Sequence, residues 1–252
     1  MHCPKCGADL RDARAECPRC GIIVAKYLER DKPVPPDVNL DRDADLHRDT
    51  EPRGEATLLL GAESATSMVV AVGRGIFLLL LAFWTTTLVP DGVSAERVNS
   101  SFLHLPNLVF HEAGHFLFLP LGRFMTVLGG SLTQVLVPLV CAGAFLWQTR
   151  DAFGAAAAIW WAGENLIDVA PYINDARDLK LVLLGGQTGA EVEGHDWEYL
   201  LNAMGVAHRD HLIAAIVQAI GTLTMTGALV WGAIVVSNQM GILRSGRTKP
   251  WS

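Results

Sequence analysis

Long apolar runs dominate the chain from Thr66 onward, whereas polar positions dominate before it. A helix needs about 20 mostly apolar residues to cross the hydrocarbon core of a bilayer. Five segments reach that length and predict transmembrane helices: residues 66–89, 102–122, 124–147, 152–173 and 211–236. The fold class that we predict is therefore an all-α polytopic membrane protein over residues 66–237, followed by a polar C-terminal tail, residues 238–252.

The composition supports a lipid bilayer as the surroundings of this protein. Half of the 252 residues are hydrophobic and only 18% are charged, whereas soluble domains carry about 25% charged residues. The net charge of -6 argues against nucleic acid as a partner, because phosphate contacts need clustered Lys and Arg.

Residues 29–65 differ from what precedes and follows them. They contain Pro33, Pro35, Pro36 and Pro52 and an acidic run over residues 37–49, but few apolar side chains. Such a segment buries too little surface to offset the entropy of ordering its backbone. We expect a disordered, acidic and Pro-rich linker.

Residues 1–28 carry two CxxC pairs, Cys3 with Cys6 and Cys17 with Cys20, each followed by a glycine. This spacing predicts a small zinc ribbon, in which four thiolates hold one structural Zn²⁺ with sulfurs about 3.5–4 Å apart. Two disulfides are the alternative, but no secretory signal precedes the cysteines. Reduced thiols favour the cytoplasm, and we expect a protein partner at this closed ribbon.

The sequence His111-Glu112-Ala113-Gly114-His115 lies inside the second apolar segment. On a helix, the two histidines share a face and both imidazoles reach one metal ion. Glu112 would act as general base toward a water molecule. An ionisable side chain inside a bilayer costs at least about 2.5–3.5 kcal/mol, so three within five positions indicate a function. A buried polar cluster that joins helices is the alternative.

A catalytic zinc usually takes three protein ligands and a water molecule. We expect Asp168 as the third ligand, because it lies in the most apolar surroundings of any aspartate here. Asp175, seven positions later, is the alternative ligand, unless it makes only a polar contact at a helix end. His195 or Asp196 could also supply a ligand or gate the site, although an N-cap role for Asp196, in a short helix over 196–204, is favoured.

Together, the HExxH sequence in a membrane helix, the pair Gly129-Gly130 after it and Asn165-x-x-Asp168 in a later segment resemble the site-2-protease type of intramembrane zinc metallopeptidase. The resemblance covers roughly residues 100–175. It implies zinc ligation by His111, His115 and Asp168, with Glu112 as the base. The family's later motif usually reads Leu-Asp-Gly after a proline, whereas Val169 follows Asp168 here and Pro171 comes later, so this chain would be a divergent member.

The resemblance also implies where a substrate would bind. Gly129, Gly130 and Ser131 would present an extended substrate, and Asn165 would lie beside it. We therefore expect an extended strand over residues 124–131, or a re-entrant stretch there, since a transmembrane helix must unwind before cleavage. Gln134 is expected either to hold substrate or water or to join helices.

These features predict a zinc metalloendopeptidase that hydrolyses peptide bonds of a membrane protein or peptide. It would hold one catalytic and one structural Zn²⁺ and reside in the bacterial inner membrane, with the ribbon in the cytoplasm. The alternative is a non-catalytic membrane adaptor that recruits a partner through the ribbon. A metal-handling membrane protein would need more thiolate or carboxylate ligands in its spans.

Overall fold

The computed structural model describes residues 2–3, 5–9, 16–24, 58–61 and 66–245. The chain divides into two compact units, Met1–Arg53 and Gly54–Ser252. Most of the predicted linker, residues 29–65, lies outside the described residues, and so does the end of the predicted tail, residues 246–252.

In the first unit, the two CxxC pairs fold into the same kind of turn. The amide of Gly7 donates to the carbonyl of Cys3 at 2.9 Å, and the amide of Gly21 donates to that of Cys17 at 2.8 Å. Both glycines have positive φ, +73° and +71°, a conformation that costs glycine little. Each turn thereby brings its two sulfurs to the same side.

The second unit is a bundle of helices. Among its described residues, β structure is limited to an isolated bridge between Val182 and Thr188. The seven α-helices described are α1 (Met68–Leu88), α2 (Ala95–Ser100), α3 (His104–Phe118), α4 (Arg123–Trp147), α5 (Ala152–Asn174), α6 (Asp196–Ala203) and α7 (Asp210–Arg244). Short 3₁₀ turns cover Leu119–Leu121 and Ala207–Arg209. Helix α7 continues past residue 237, where the membrane domain was predicted to end.

Within the described residues, three helical stretches are long and apolar enough to cross a membrane: α1, α4 and Ala207–Arg244. The exposed apolar side chains on α1, among them Val69, Leu79 and Phe83, are suited to contact lipid. Five spans are therefore not confirmed. The segment 102–122 forms an α-helix of only 15 residues, followed by a 3₁₀ turn that contains Pro120 and is capped by Gly122, whose φ of +87° is a helix-terminating conformation.

Helix α5, the other predicted span, forms the centre of the bundle and is buried along most of its length. It packs against α4 and α7. At the crossing with α7, a side-chain carbon added to Gly221 would lie 2.7 Å from the carbonyl oxygen of Gly163. Glycines at both positions allow the two backbones to approach closely, as small residues do between membrane helices.

A second glycine pair joins α3 to α4, and it overturns the prediction for residues 124–131. A side-chain carbon on Gly114 would lie closer than any real contact to the carbonyl oxygen of Gly129. The stretch that contains Gly129, Gly130 and Ser131 lies within the continuous α-helix α4. It forms neither an extended strand nor an irregular, re-entrant stretch. These small residues allow two helices to pack closely. A Gly-Gly pair in an apolar run is compatible both with such a contact and with a break in the helix, so the sequence alone does not distinguish the two.

Candidate metal centre

A cavity of about 200 Å³ opens between α3, α4, α5 and the segment that leads into α6. Histidine and carboxylate side chains from several elements line it, among them His104, His111, Glu112, His115, Asp168 and Asp196. The first four come from α3, and the two aspartates come from α5 and α6.

His111 and His115 lie one helical turn apart on α3, with their ring centroids 4.8 Å apart. The Nδ1 atom of His111 is 2.7 Å from Oε1 of Gln134, and that of His115 is 2.9 Å from the carbonyl oxygen of Thr126. Both partners are oxygen acceptors, so both Nδ1 atoms carry a proton. In a neutral imidazole this leaves the lone pair on Nε2, the arrangement found in metal-ligating histidines.

The two Nε2 atoms converge on one oxygen of Asp196. Oδ2 of Asp196 lies 2.9 Å from Nε2 of His111 and 3.3 Å from Nε2 of His115. Two neutral imidazoles would direct lone pairs at a carboxylate oxygen, which is repulsive unless positive charge lies among them. In a tetrahedral zinc site with bonds near 2.0–2.1 Å, ligand atoms are ~3.3 Å apart. The donor set therefore fits a divalent cation.

Gly130 leaves room beside these nitrogen atoms. A side-chain carbon at this position would lie 2.6 Å from Nε2 of His111 and 2.7 Å from Nε2 of His115. Such distances are shorter than any real contact, so only glycine fits here without displacing the histidines. Gly130 thus bounds the candidate metal centre and keeps the coordinating atoms unobstructed.

His195 caps helix α6 and leaves Asp196 free to face the histidines. The Nδ1 atom of His195 accepts a hydrogen bond from the amide of Glu198 at 3.1 Å, so α6 begins at Asp196. The predicted N-cap role for Asp196 is wrong for this reason. An aspartate interacts favourably with the helix dipole both as the N-cap and as the first helical residue. The sequence alone therefore does not distinguish these two positions for Asp196.

Two contacts hold α6 against α4. The indole Nε1 of Trp197 donates to the hydroxyl of Ser131 at 3.1 Å, and the guanidinium of Arg123 lies 4.7 Å from the ring centroid of Tyr199. Ser131, expected to present substrate, therefore anchors the residue that follows Asp196. Both contacts fix the position from which the Asp196 carboxylate reaches α3.

Burial and hydrogen bonding act in opposite directions on the titration of Asp196. Burial raises the pKa of this carboxyl, but the adjacent imidazoles of His111 and His115, in their protonated form, lower it, and the net result is a pKa below the usual value. The pKa of His195 is lowered by burial. Asp196 is therefore a carboxylate at neutral pH, the form that binds a cation.

Asp168 lies behind the metal centre and not in it. One of its oxygens accepts from Nε2 of Gln134 at 3.1 Å, and the other is 2.8 Å from Nδ1 of His104. Gln134 thus stands between Asp168 and His111. Among the residues described, the carboxylate grouped with the two histidines is that of Asp196, so the geometry disagrees with Asp168 as the third ligand.

Asn165 and Asp175 also have structural partners. Asn165 is fully buried, accepts from Gln134 at 3.2 Å and donates to the carbonyl of Trp161 at 2.9 Å. Asp175 accepts hydrogen bonds from the amides of Lys180 and Leu181, both at 2.9 Å. Asn165 therefore supports Gln134 from beneath the cavity wall, and Asp175 stabilises the turn after α5.

The four cysteines form a second candidate metal site within the first unit. The Sγ atoms of Cys3 and Cys20 are 3.7 Å apart, as are those of Cys6 and Cys17. These distances lie in the range predicted for a tetrahedral zinc site, and all four thiols are free. The backbone amide of Arg19 lowers the pKa of Cys17 to about 6. At Cys20 the backbone amide of Ile22 acts in the same direction, but burial and the neighbouring thiols outweigh it and raise the pKa of Cys20 to about 12.

Comparison with known proteins gives no relative for this chain. No protein-family model, no curated protein sequence and no solved structure matches it.

Proposed function

We propose that this protein is a membrane-associated zinc metallopeptidase whose catalytic metal is held by His111, His115 and Asp196. The observation that carries the proposal is the convergence of two Nε2 atoms on Oδ2 of Asp196, at 2.9 and 3.3 Å. Both Nδ1 atoms contact oxygen acceptors, so in the neutral imidazoles the Nε2 lone pairs are directed at Oδ2 of Asp196. A bound cation would supply the positive charge that this arrangement calls for, and two histidines with one carboxylate are a common ligand set of catalytic zinc.

The fourth position of such a site belongs to water or substrate. A zinc ion bound here would polarise a peptide carbonyl and lower the pKa of a water molecule toward about 7. Glu112 follows His111 directly and lines the same cavity. Its carboxylate takes a proton from the attacking water and passes it to the leaving nitrogen, as the C–N bond of the peptide breaks and the new C–O bond forms.

The substrate class follows from the surroundings of the cavity. In the part of the chain that the structure describes, three helical stretches are apolar and long enough to cross a membrane. One of them, α4, contributes Gln134 and Ser131 to the cavity wall. Peptide bonds of a membrane protein or membrane-bound peptide are therefore the proposed target. The four N-terminal thiolates are proposed to hold a structural Zn²⁺, on the cytoplasmic side of a bacterial inner membrane, where thiols stay reduced.

Zinc content tests the metal centre directly. The full chain, purified in detergent, should contain two zinc ions by elemental analysis. His111→Ala and Cys3→Ser should each remove one ion, from different units of the chain. One zinc per chain that His111→Ala leaves in place would refute the proposal and favour a non-catalytic adaptor built around the ribbon.

Glu112→Gln tests the chemistry separately from the metal. This variant should retain two zinc ions. From a set of quenched-fluorescence transmembrane peptides, it should fail to cleave those that the unaltered chain cleaves. Cleavage that survives in the variant would exclude Glu112 as the base. Loss of zinc together with cleavage would instead assign Glu112 to the metal centre.

A further inference from the structure

His104 has a carboxylate on one side and the cavity on the other. Its Nδ1 atom lies 2.8 Å from Oδ1 of Asp168, and its ring stacks on Tyr172 with centroids 6.4 Å apart and planes 14° from parallel. The carboxylate accepts only, so Nδ1 carries the proton. Neither contact uses Nε2, and His104 lines the cavity together with His111 and Glu112.

The buried charge of Asp168 favours a positive charge on His104. Asp168 is 4% exposed and lies one helical turn from Glu164, which is 2% exposed and accepts from Asn107 at 2.8 Å. A buried carboxylate is costly unless a cation pairs with it. In the described part of the chain, His104 is the basic side chain that pairs with Asp168. An imidazolium at this position presents a charged Nε2–H donor to the cavity.

The position of His104 relative to the metal centre suits contact with a neighbouring peptide group. It precedes His111 by seven residues on α3, which corresponds to ~10 Å along the helix axis. An extended peptide advances about 3.3 Å per residue. A peptide with one carbonyl at the metal centre therefore has further main-chain carbonyl oxygens within reach of His104.

We propose that His104, oriented by Asp168, binds a main-chain carbonyl oxygen of the substrate about three residues from the peptide bond that is cleaved. Asp168 acts as a positioning residue, and Gln134 links it to His111 by hydrogen bonds of 3.1 and 2.7 Å. This inference rests on the proposed peptidase function and identifies the second contact of that site. It gives Asp168 a role at the substrate in place of the metal.

Hydroxamate probes separate the second contact from the metal centre, since a hydroxamate group binds zinc by itself. Acetohydroxamate is the short probe, with no further main-chain oxygen. Two longer probes extend the hydroxamate by a tripeptide, one on each side, to cover about 10 Å, and all ends are capped as neutral amides or acetyl groups. Affinities are measured on the full zinc-loaded chain in detergent, by displacement of a fluorescent hydroxamate.

We expect His104→Asn to weaken at least one longer probe by about 10-fold or more, because a hydrogen bond from a charged donor is lost. The affinity for acetohydroxamate and the zinc content should not change. Asp168→Asn should weaken the same probe, because the imidazole loses its charge partner. His208→Asn is the matched control, since it makes the same substitution at an exposed histidine outside the cavity and should leave the affinities of all probes unchanged.

Two failures are distinguishable. If acetohydroxamate binds and His104→Asn changes short-probe and long-probe affinities equally, the role of His104 is refuted and the metal centre stands. If the unaltered chain has no zinc at the histidines and binds no hydroxamate, the proposed function fails and the role of His104 fails with it.

Discussion

Asp196 and His111 are separated by 85 positions in the chain, yet Oδ2 of the aspartate lies 2.9 Å from Nε2 of the histidine. The histidine comes from a helix in the bundle and the aspartate from the first turn of a short helix beyond it. The candidate metal centre is therefore completed by a connecting segment. Because Asp196 lies outside the long apolar segments, those segments alone do not indicate the third candidate ligand.

Replacing Asp196 tests the assignment of the third ligand. Asp196→Asn keeps the shape of the side chain but removes its charge. Since loss of a mere supporting residue costs about 10–100-fold in metal affinity, loss of a ligand should weaken zinc binding at the histidines by more than this. Chelator competition on the purified chain measures the change.

Glu198→Gln is the matched control, because it also removes one carboxylate from α6. Its zinc affinity should equal that of the unaltered chain. Asp168→Asn should retain the zinc ion as well. An equal loss of zinc in Asp168→Asn and Asp196→Asn would contradict the geometry, and tight binding by Asp196→Asn would remove Asp196 from the ligand set.

Gln134 should matter to the metal although it does not face it. Its Oε1 accepts from His111, and its Nε2 donates to Asn165 and Asp168. Gln134→Leu leaves the His111 ring without the partner that fixes its protonation, so zinc affinity should fall by about 10–100-fold. Thr133→Val is the control, because the buried Thr133 hydroxyl has no hydrogen-bond partner among the residues described. Equal zinc affinity in the two variants would deny Gln134 this role.

Gly130 should tolerate no side chain. The added carbon of Gly130→Ala would overlap the Nε2 atoms of both histidines, at 2.6 and 2.7 Å, so the variant should bind no zinc at this site. Gly143→Ala on the same helix meets nothing within 4 Å and should keep both zinc ions. Elemental analysis of the two purified variants decides the matter, and a full zinc complement in Gly130→Ala would show that the histidines can rearrange.

The close crossing of α5 and α7 predicts a stability effect separate from the metal. Gly221→Ala would press a carbon against the carbonyl oxygen of Gly163 at 2.7 Å. Overpacking of this kind costs about 1–3 kcal/mol, which should lower the midpoint of thermal unfolding in detergent. Gly227→Ala on the same helix has open space and should leave the midpoint unchanged or raise it slightly. Equal midpoints for the two variants would contradict the tight crossing.

Local features of the site could be predicted from the sequence, because spacing along one helix determines them. His111 and His115 share a face whatever else the chain does, and each CxxC pair brings two sulfurs together within a few residues. The helical fold also follows from apolar segments. The number of spans could not be predicted, because the buried helix α5 and the exposed helix α1 are both apolar runs of about 20 residues.

Long-range features could not be predicted in the same way. Asp168 and Asp196 are both acidic residues near apolar sequence, and only the folded backbone reveals that Gln134 separates Asp168 from His111. The sign that was available is the adjacent pair His195-Asp196, in which one residue can cap a helix while the other turns away. Gly129-Gly130 was ambiguous for the same reason, because a helix crossing and an extended strand both use small residues.

The separation of the histidines from Asp196 has a consequence for biosynthesis. As the chain emerges from the ribosome, α3 is available long before α6, so the early part of the chain offers a pair of imidazoles without their acidic partner. Under the proposed ligand assignment, tight metal capture must wait until residue 196 has been made and α6 has docked through Trp197 and Tyr199. A chain that stalls or is cut before that point would lack the acidic partner of the two imidazoles and is expected to hold metal weakly.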